Sequence, residues 1–267
     1  MSADLVWTTL RAEAQAAAVK EPVLSGLLHE SILHYGSLEC ALAYRISRKL
    51  GHDVVSEPSL QELFEEAFAG NPVIGAQVRE DIQAIHERDP ASRGFLSPFL
   101  YFKGFQALTA YRLAHHLWNQ DRHEIALHLQ SSISEVCGVD IHPAAQIGAG
   151  ILFDHATSIV IGETAVVEDH VSILHEVTLG GTGKARGRRH PHVCRGVLIG
   201  AGAKLLGDIK IGECAKIGAG SVVLEDVNAH TTVVGVPARE VGLAPEDPAG
   251  CMEHALKVYA QSASLER

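Results

Sequence analysis

Apolar residues follow two different rhythms along this chain. From residue 1 to about residue 135 they recur every three to four positions, the spacing of a helix with one buried face. Leu5, Trp7, Leu10 and Ala14 open the first such stretch. Ser59-Leu60-Gln61-Glu62 has the spacing of a capping box ahead of Leu63 and Phe64. Ser97-Pro98 reads as an N-cap followed by Pro at the first helical position. The helix it opens is expected to carry Phe99, Phe102, Phe105, Leu108, Tyr111 and Leu117 as one core or subunit-contact stripe. Near Asp140 the rhythm becomes six. Ile147, Phe153, Ile161, Val167, Ile173 and Leu179, then Ile199, Leu205, Ile211, Ile217 and Val223, mark successive hexads, often with Gly next in line. A six-residue period predicts a parallel β-helix, whose coils bury side chains only against the next coil. Three six-residue faces make one coil of a triangular prism, with Gly and small residues at the sharp corners.

The period breaks twice. Eight residues rather than six separate Phe153 from Ile161, and Asp154-His155 lies in that gap. After Leu179 the hexads stop for the polar, glycine-rich segment from Gly181 to Pro191 and resume by Ile199. Such an insertion cannot sit in the prism wall, so it is expected to project from a corner as a loop, where function often resides. Beyond Gly242 the chain, with Pro245, Asp247, Pro248 and Gly250, reads as leaving the scaffold, and 251–262 as a short helix or a disordered end. The expected class is therefore α+β. An α-helical N-terminal domain over 1–138 would serve oligomerisation, a β-helix domain would follow over 139–242, and a tail over 243–267.

Composition narrows the function. At 46% hydrophobic, 267 residues can build a substantial core. A net charge of −10 argues against a general nucleic-acid or anionic-membrane binder. The charge is uneven, however: Thr182 to Lys216 holds eight Lys or Arg against Asp208 and Glu213, which suits an anionic ligand. Cys40, Cys137, Cys194, Cys214 and Cys251 are scattered, odd in number and free of any C-x-x-C pattern. That usage predicts free thiols in a reducing cytoplasm. Neither a membrane-length apolar run nor a signal-peptide pattern is expected from the sequence.

Polar clusters inside a repeat that tolerates them poorly are the candidates for chemistry. His155 has the side chain of a general base near neutral pH, and Asp140, about one coil earlier, is the natural carboxylate to orient it. Several runs extend this picture. Asp140-Ile141-His142-Pro143-Ala144-Ala145, Asp154-His155-Ala156-Thr157, Ile161-Gly162-Glu163-Thr164-Ala165-Val166, Thr178-Leu179-Gly180-Gly181-Thr182-Gly183-Lys184, Arg189-His190-Pro191 and Gly235-Val236-Pro237-Ala238-Arg239 closely resemble the bacterial serine acetyltransferases. These are hexapeptide-repeat acyltransferases. Arg88-Asp89-Pro90 and Leu100-Tyr101-Phe102-Lys103-Gly104-Phe105-Gln106-Ala107 carry the resemblance into the helical half, so that it spans roughly residues 1–242.

The resemblance implies a left-handed coil and transfer of an acetyl group from acetyl-CoA to the hydroxyl of L-serine. It implies that His155 removes the hydroxyl proton with Asp140 as its partner. Asp89 and Asp154 would bind the serine ammonium, Arg189 its carboxylate, and His190 would line the same site. The Gly181 amide would meet the thioester carbonyl, Ala201 and Ala219 would flank the pantetheine arm, and Lys216 would meet a coenzyme phosphate. A thioester is already activated, so direct attack in a ternary complex is expected, without an acyl-enzyme, a permanently bound cofactor or a metal. L-Cysteine is the inhibitor implied, and a trimer or dimer of trimers the assembly. Relatives that bind cysteine synthase end in Ile, whereas this chain ends Ala263-Ser264-Leu265-Glu266-Arg267, so that partnership is expected to be weak or absent.

Three other readings compete. His170 and His175 have a spacing similar to the zinc histidines of γ-type carbonic anhydrases, but Ser134 stands where the third ligand is expected. A sugar or xenobiotic acetyltransferase would generally lack both the long helical region and the Arg-His-Pro loop. A non-catalytic scaffold would not need Asp140, His155, Arg189 and His190 together.

Overall fold

A computed structural model describes residues 4–183 and 187–255. The helical half comprises α1 (Leu5–Lys20), α2 (Ser25–Leu28), α3 (Leu38–Leu50), α4 (Glu57–Gly70), α5 (Pro72–Arg88), α6 (Leu96–Tyr101), α7 (Lys103–Trp118) and α8 (His123–Cys137). Leu10, Leu42, Phe64, Ile82 and Phe105 are among its fully buried side chains. Two expected helix starts move. The helix at Glu57 is capped by Ser56, whose hydroxyl accepts from Ser59 N, because Pro58 fits the first turn and lacks the donor that turn leaves unpaired. The helix at Leu96 is capped not by Ser97 but by Glu13, whose Oε2 accepts from Phe95 N at 2.9 Å and Leu96 N at 2.8 Å. The aromatic stripe is also two helices rather than one. Phe102 is extended (φ −82°, ψ 103°) and divides α6 from α7. Gln106 Nε2, reaching back to the carbonyls of Phe99 and Leu100, satisfies the freed acceptors.

From Val139 the chain winds into strands of two or three residues. They are β1 (Val139–Ile141), β2 (Gln146–Ile147), β3 (Leu152–Phe153), β4 (Ile159–Ile161), β5 (Val166–Val167), β6 (Ser172–Ile173), β7 (Thr178–Gly180), β8 (His192–Val193), β9 (Leu198–Ile199), β10 (Lys204–Leu206), β11 (Lys210–Ile211), β12 (Lys216–Ile217) and β13 (Val222–Val223). Every third strand joins the same parallel sheet. The first wall is β1-β4-β7-β10-β13, the second β2-β5-β8-β11 and the third β3-β6-β9-β12. The hexad residues Ile161, Val167, Ile173, Leu179, Ile199, Leu205, Ile211 and Ile217 are essentially fully buried, each stacked on its counterpart one coil away. An antiparallel hairpin, β14 (Thr231–Gly235) and β15 (Ala238–Leu243), extends the third wall and ends the coil. A helical turn, α9 (Pro248–Cys251), then folds back against α5, earlier than the short helix expected over 251–262. Residues 256–267, on which the terminal expectations rest, lie outside the described residues.

The two halves are joined by buried polar contacts. Arg112 of α7 forms a two-point pair with Asp81 of α5, at 2.8 and 3.0 Å, and both side chains are buried. Arg112 also donates to the carbonyls of Ile147 and Gly148, and Asp81 accepts from Ile151 N. Gly104 in α7 lies against the Phe153 carbonyl, so close that any β-carbon there would clash. No helix among the described residues is long and apolar enough to cross a membrane.

Candidate active site

The eight-residue gap has a simple structural cause. Phe153 pairs with Ile173 and Ile161 pairs with Leu179, so eight residues on one coil face six on the next. The surplus forms a bulge at the corner between the third and first walls. His155 and Ala156 both take left-handed backbone there, with φ 54° and 60°. Such conformations are costly away from glycine and persist where surrounding structure holds them. Here Ala156 is wholly buried, Lys103 Nζ donates to Thr157 Oγ1 at 2.6 Å, and Gly104 backs Phe153. The bulge turns His155 outward, leaving its side chain 76% exposed.

His155 opens into a cleft of about 930 Å³ whose lining includes Asp89, Tyr101, Lys103, Asp154 and Met252. Asp89 follows the last turn of α5, so the helical half supplies one wall and the prism the other. His155 Nε2 lies 3.9 Å from Asp154 Oδ1, and its ring stands edge-on to His175 with centroids 5.8 Å apart. The expected Asp140 pairing is not formed. Asp140 Oδ1 accepts from Gln130 Nε2 at 2.7 Å, because β1 holds Asp140 in the first wall while the bulge carries His155 outward. Above the bulge, Thr157, His175, Ala201 and Ala219 climb the same corner, each one coil from the last. Ala201 is half-buried and Ala219 exposed, so the upper two steps carry only small side chains at the prism edge. Lys216, in β12 of the adjoining wall, is buried and donates from Nζ to Ala255 O at 2.7 Å. It therefore sits under the C-terminal segment rather than on an open phosphate-binding surface.

Arg189 and His190 lie elsewhere, at the corner between the first and second walls where the Gly181–Pro191 insertion returns to β8. His190 is buried. Its Nδ1 accepts from Thr164 N at 3.2 Å, so a neutral ring carries its proton on Nε2. The Thr164 hydroxyl is 2.8 Å from the same nitrogen and accepts from Arg189 N at 3.0 Å. Nε2 lies beside Gly162 and Gly181. Burial, then the Arg189 charge, pushes the His190 pKa below the ordinary histidine value. Arg189 Nη2 donates to Glu163 Oε2, and that bond holds the Glu163 carboxyl below its usual range. Gly162, Glu163 and Thr164 received no role from the sequence, although they form one of the family-like runs. Gly directly after a hexad aliphatic is also the commonest corner pattern, which hid the role of Gly162.

One chain thus carries two groups on separate edges. Asp89, Asp154 and His155 share the cleft, while Gly181, Arg189 and His190 gather at the other corner. Among the described residues no hydrogen bond or ion pair joins them. His170 and His175 likewise fall on different corners, since His170 precedes β6 and His175 follows it.

A prism of six-residue repeats with an exposed histidine and carboxylates at a bulged corner places the chain among the hexapeptide-repeat transferases. The bacterial transferase hexapeptide model matches residues 190–225, and the N-terminal serine acetyltransferase model matches residues 6–110. Serine acetyltransferase of Salmonella typhimurium is 53% identical over 239 residues, covering 90% of this chain and 88% of the relative. The chain belongs to the serine acetyltransferase family. A solved serine acetyltransferase in complex with cysteine superposes with a TM-score of 0.93 at 51% identity, covering 94% of this chain and 98% of the other. The Brucella abortus enzyme in complex with coenzyme A gives 0.89 at 52%, covering 91% and 97%. The Neisseria gonorrhoeae enzyme in complex with serine gives 0.87 at 49%, covering 89% and 97%. The prism is accordingly the left-handed parallel β-helix.

Proposed function

We propose that this protein transfers the acetyl group of acetyl-CoA to the hydroxyl of L-serine, giving O-acetyl-L-serine and CoA. The observation that carries the reading is the bulge that presents His155 and Asp154 to Asp89 across the cleft, at the foot of a corner lined by Ala201 and Ala219. Asp89 and Asp154 take the serine ammonium. His155 accepts the hydroxyl proton as the serine oxygen attacks the thioester carbonyl. The Gly181 amide and the Nε2–H of His190 donate to the oxyanion that forms. Collapse expels the CoA thiolate, which recovers the proton from the His155 imidazolium. Asp140 orients His155 once the ring turns inward and Gln130 yields its carboxylate. Arg189 takes the substrate carboxylate in place of Glu163, since a guanidinium fork matches either.

The two groups on one chain become a single site when a neighbouring copy brings its insertion loop to the cleft. A trimer, or two trimers joined through the helical halves, supplies that arrangement. L-Cysteine carries the same ammonium and carboxylate as serine, so it occupies the same contacts and inhibits competitively. Thiols free of disulfides suit a reducing compartment, and we place the reaction in the cytoplasm.

A thiol-release assay with acetyl-CoA and a panel of hydroxyl acceptors tests the reading. L-Serine is expected to be the preferred acceptor, and preference for a sugar or chloramphenicol overturns the proposal.

A further inference from the structure

The second wall carries a cluster that the transfer chemistry leaves unused. β5 and β8 pair in parallel with Val166 opposite His192 and Val167 opposite Val193. That register sets Glu168 beside the residue after β8, which is Cys194, and Glu168 N donates to Val193 O at 2.9 Å. The Glu168 Oε1 to His192 Nε2 separation is 2.7 Å. One ligand atom from each of Glu168, His192 and Cys194 lies within 4.8 Å of the other two. Among the described residues no other group of three His, Cys, Asp or Glu donors comes this close. Glu168 Oε2 is already fixed by Arg195 N at 3.0 Å, so the carboxylate is held in place from its far side. Cys194 is buried, and Glu168 and His192 are half-buried.

We propose that Glu168, His192 and Cys194 form a binding site for a borderline-soft divalent cation of the zinc type. A thiolate and an imidazole select against magnesium and calcium, which take oxygen donors. Three protein donors of mixed N, S and O character fit tetrahedral coordination with water in the fourth position. The cation takes the cysteine as thiolate and the histidine as neutral imidazole, so binding releases the thiol proton to solvent.

Position gives the site its consequence. His192 and Cys194 are the first residues to rejoin the prism after the insertion that carries Arg189 and His190, and Glu168 belongs to the coil before it. A cation there staples the loop's return point to the preceding coil and stabilises the folded chain by mass action.

The test titrates cobalt(II) into the full-length, chelator-treated protein. A sulfur-to-cobalt charge-transfer band saturating at one cobalt per chain is expected, displaced by zinc and accompanied by a higher thermal midpoint. Cys194→Ser is expected to abolish the band, and His192→Gln to weaken binding about a hundredfold. Cys251→Ser, on the exposed thiol, is expected to leave both unchanged. Circular dichroism confirms that each variant folds. Absence of the band in the wild-type protein, its survival in Cys194→Ser, or its loss in Cys251→Ser overturns the proposal.

Discussion

Gly162 and His190 are fitted to one another: the imidazole occupies the space a β-carbon on Gly162 would need. The clash would fall on the ring, since Thr164 holds the opposite nitrogen at 2.8 and 3.2 Å. Gly162→Ala should therefore tilt His190 away from Gly181 while the coil persists, because Gly162 has no positive φ to lose. Removing a single donor to a developing oxyanion costs about 10²- to 10³-fold in kcat. We expect a fall of that order with little change in serine KM. Steady-state kinetics beside a thermal melt will check it, and unchanged kcat would show that His190 plays no part in the reaction.

His155→Ala should lower kcat by about two to four orders of magnitude, the usual loss of a general base. Asp140→Asn should cost less, since the base remains and only its orientation suffers. Gln130→Ala frees the Asp140 carboxylate from its present hydrogen bond, so it should leave kcat unchanged or raise it. If Gln130→Ala instead reduced activity as much as Asp140→Asn, Asp140 would be acting through Gln130 and not through His155. The same kinetic series separates these outcomes.

The prism was legible because its repeat is local. Each hexad aliphatic needs only the wall above and below, so Ile161, Ile199 and Ile217 announce themselves in sequence order. The bulge at His155 was legible for the same reason, as an eight among sixes. What escaped depends on contacts remote in sequence. Glu13 caps the helix at Leu96 from 83 residues away, and nothing near Ser97 records it. Asp140 was matched to His155 by coil spacing, yet spacing does not say which way an outward side chain turns, and Gln130 of α8 reaches it first. Nor does a repeat show that Lys216 lies beneath a returning tail.

His142 and His190 offer a pH test. Burial is the largest cause depressing each pKa, and Arg189 adds to it for both. Each ring also accepts a backbone N–H at Nδ1, from Ala144 and Thr164 respectively, which protonation there would abolish. In the unfolded chain both return to about 6.5, so below that value the unfolded state binds protons the folded state refuses. Stability contributed by these two groups is complete above about pH 6.5 and is lost as the pH falls toward their folded values. The thermal midpoint should drop between about pH 7 and pH 5, and the drop should shrink in His142→Gln. An unchanged slope in that variant would remove His142 from the account.

The Asp81–Arg112 pair should matter more for stability than any surface ion pair. Both side chains are buried, and Arg112 also holds the Ile147 and Gly148 carbonyls, so the pair fastens α5 and α7 to the first coil. Asp81→Ala leaves a guanidinium without its counter-charge in a dry site, a change that costs about 3–5 kcal/mol. Replacing both partners, as in Asp81→Leu with Arg112→Met, removes the stranded charge together with the attraction. That double variant should lose less than Asp81→Ala alone, because no buried charge is left unpaired. The exposed Arg48–Glu57 pair at 2.7 Å serves as the control, and Glu57→Ala should cost far less than Asp81→Ala, because solvent screens an exposed pair. Denaturant unfolding of the four proteins tests the ordering. A double variant less stable than Asp81→Ala would mean that the carbonyl contacts of Arg112, and not its charge pairing, hold the two halves together.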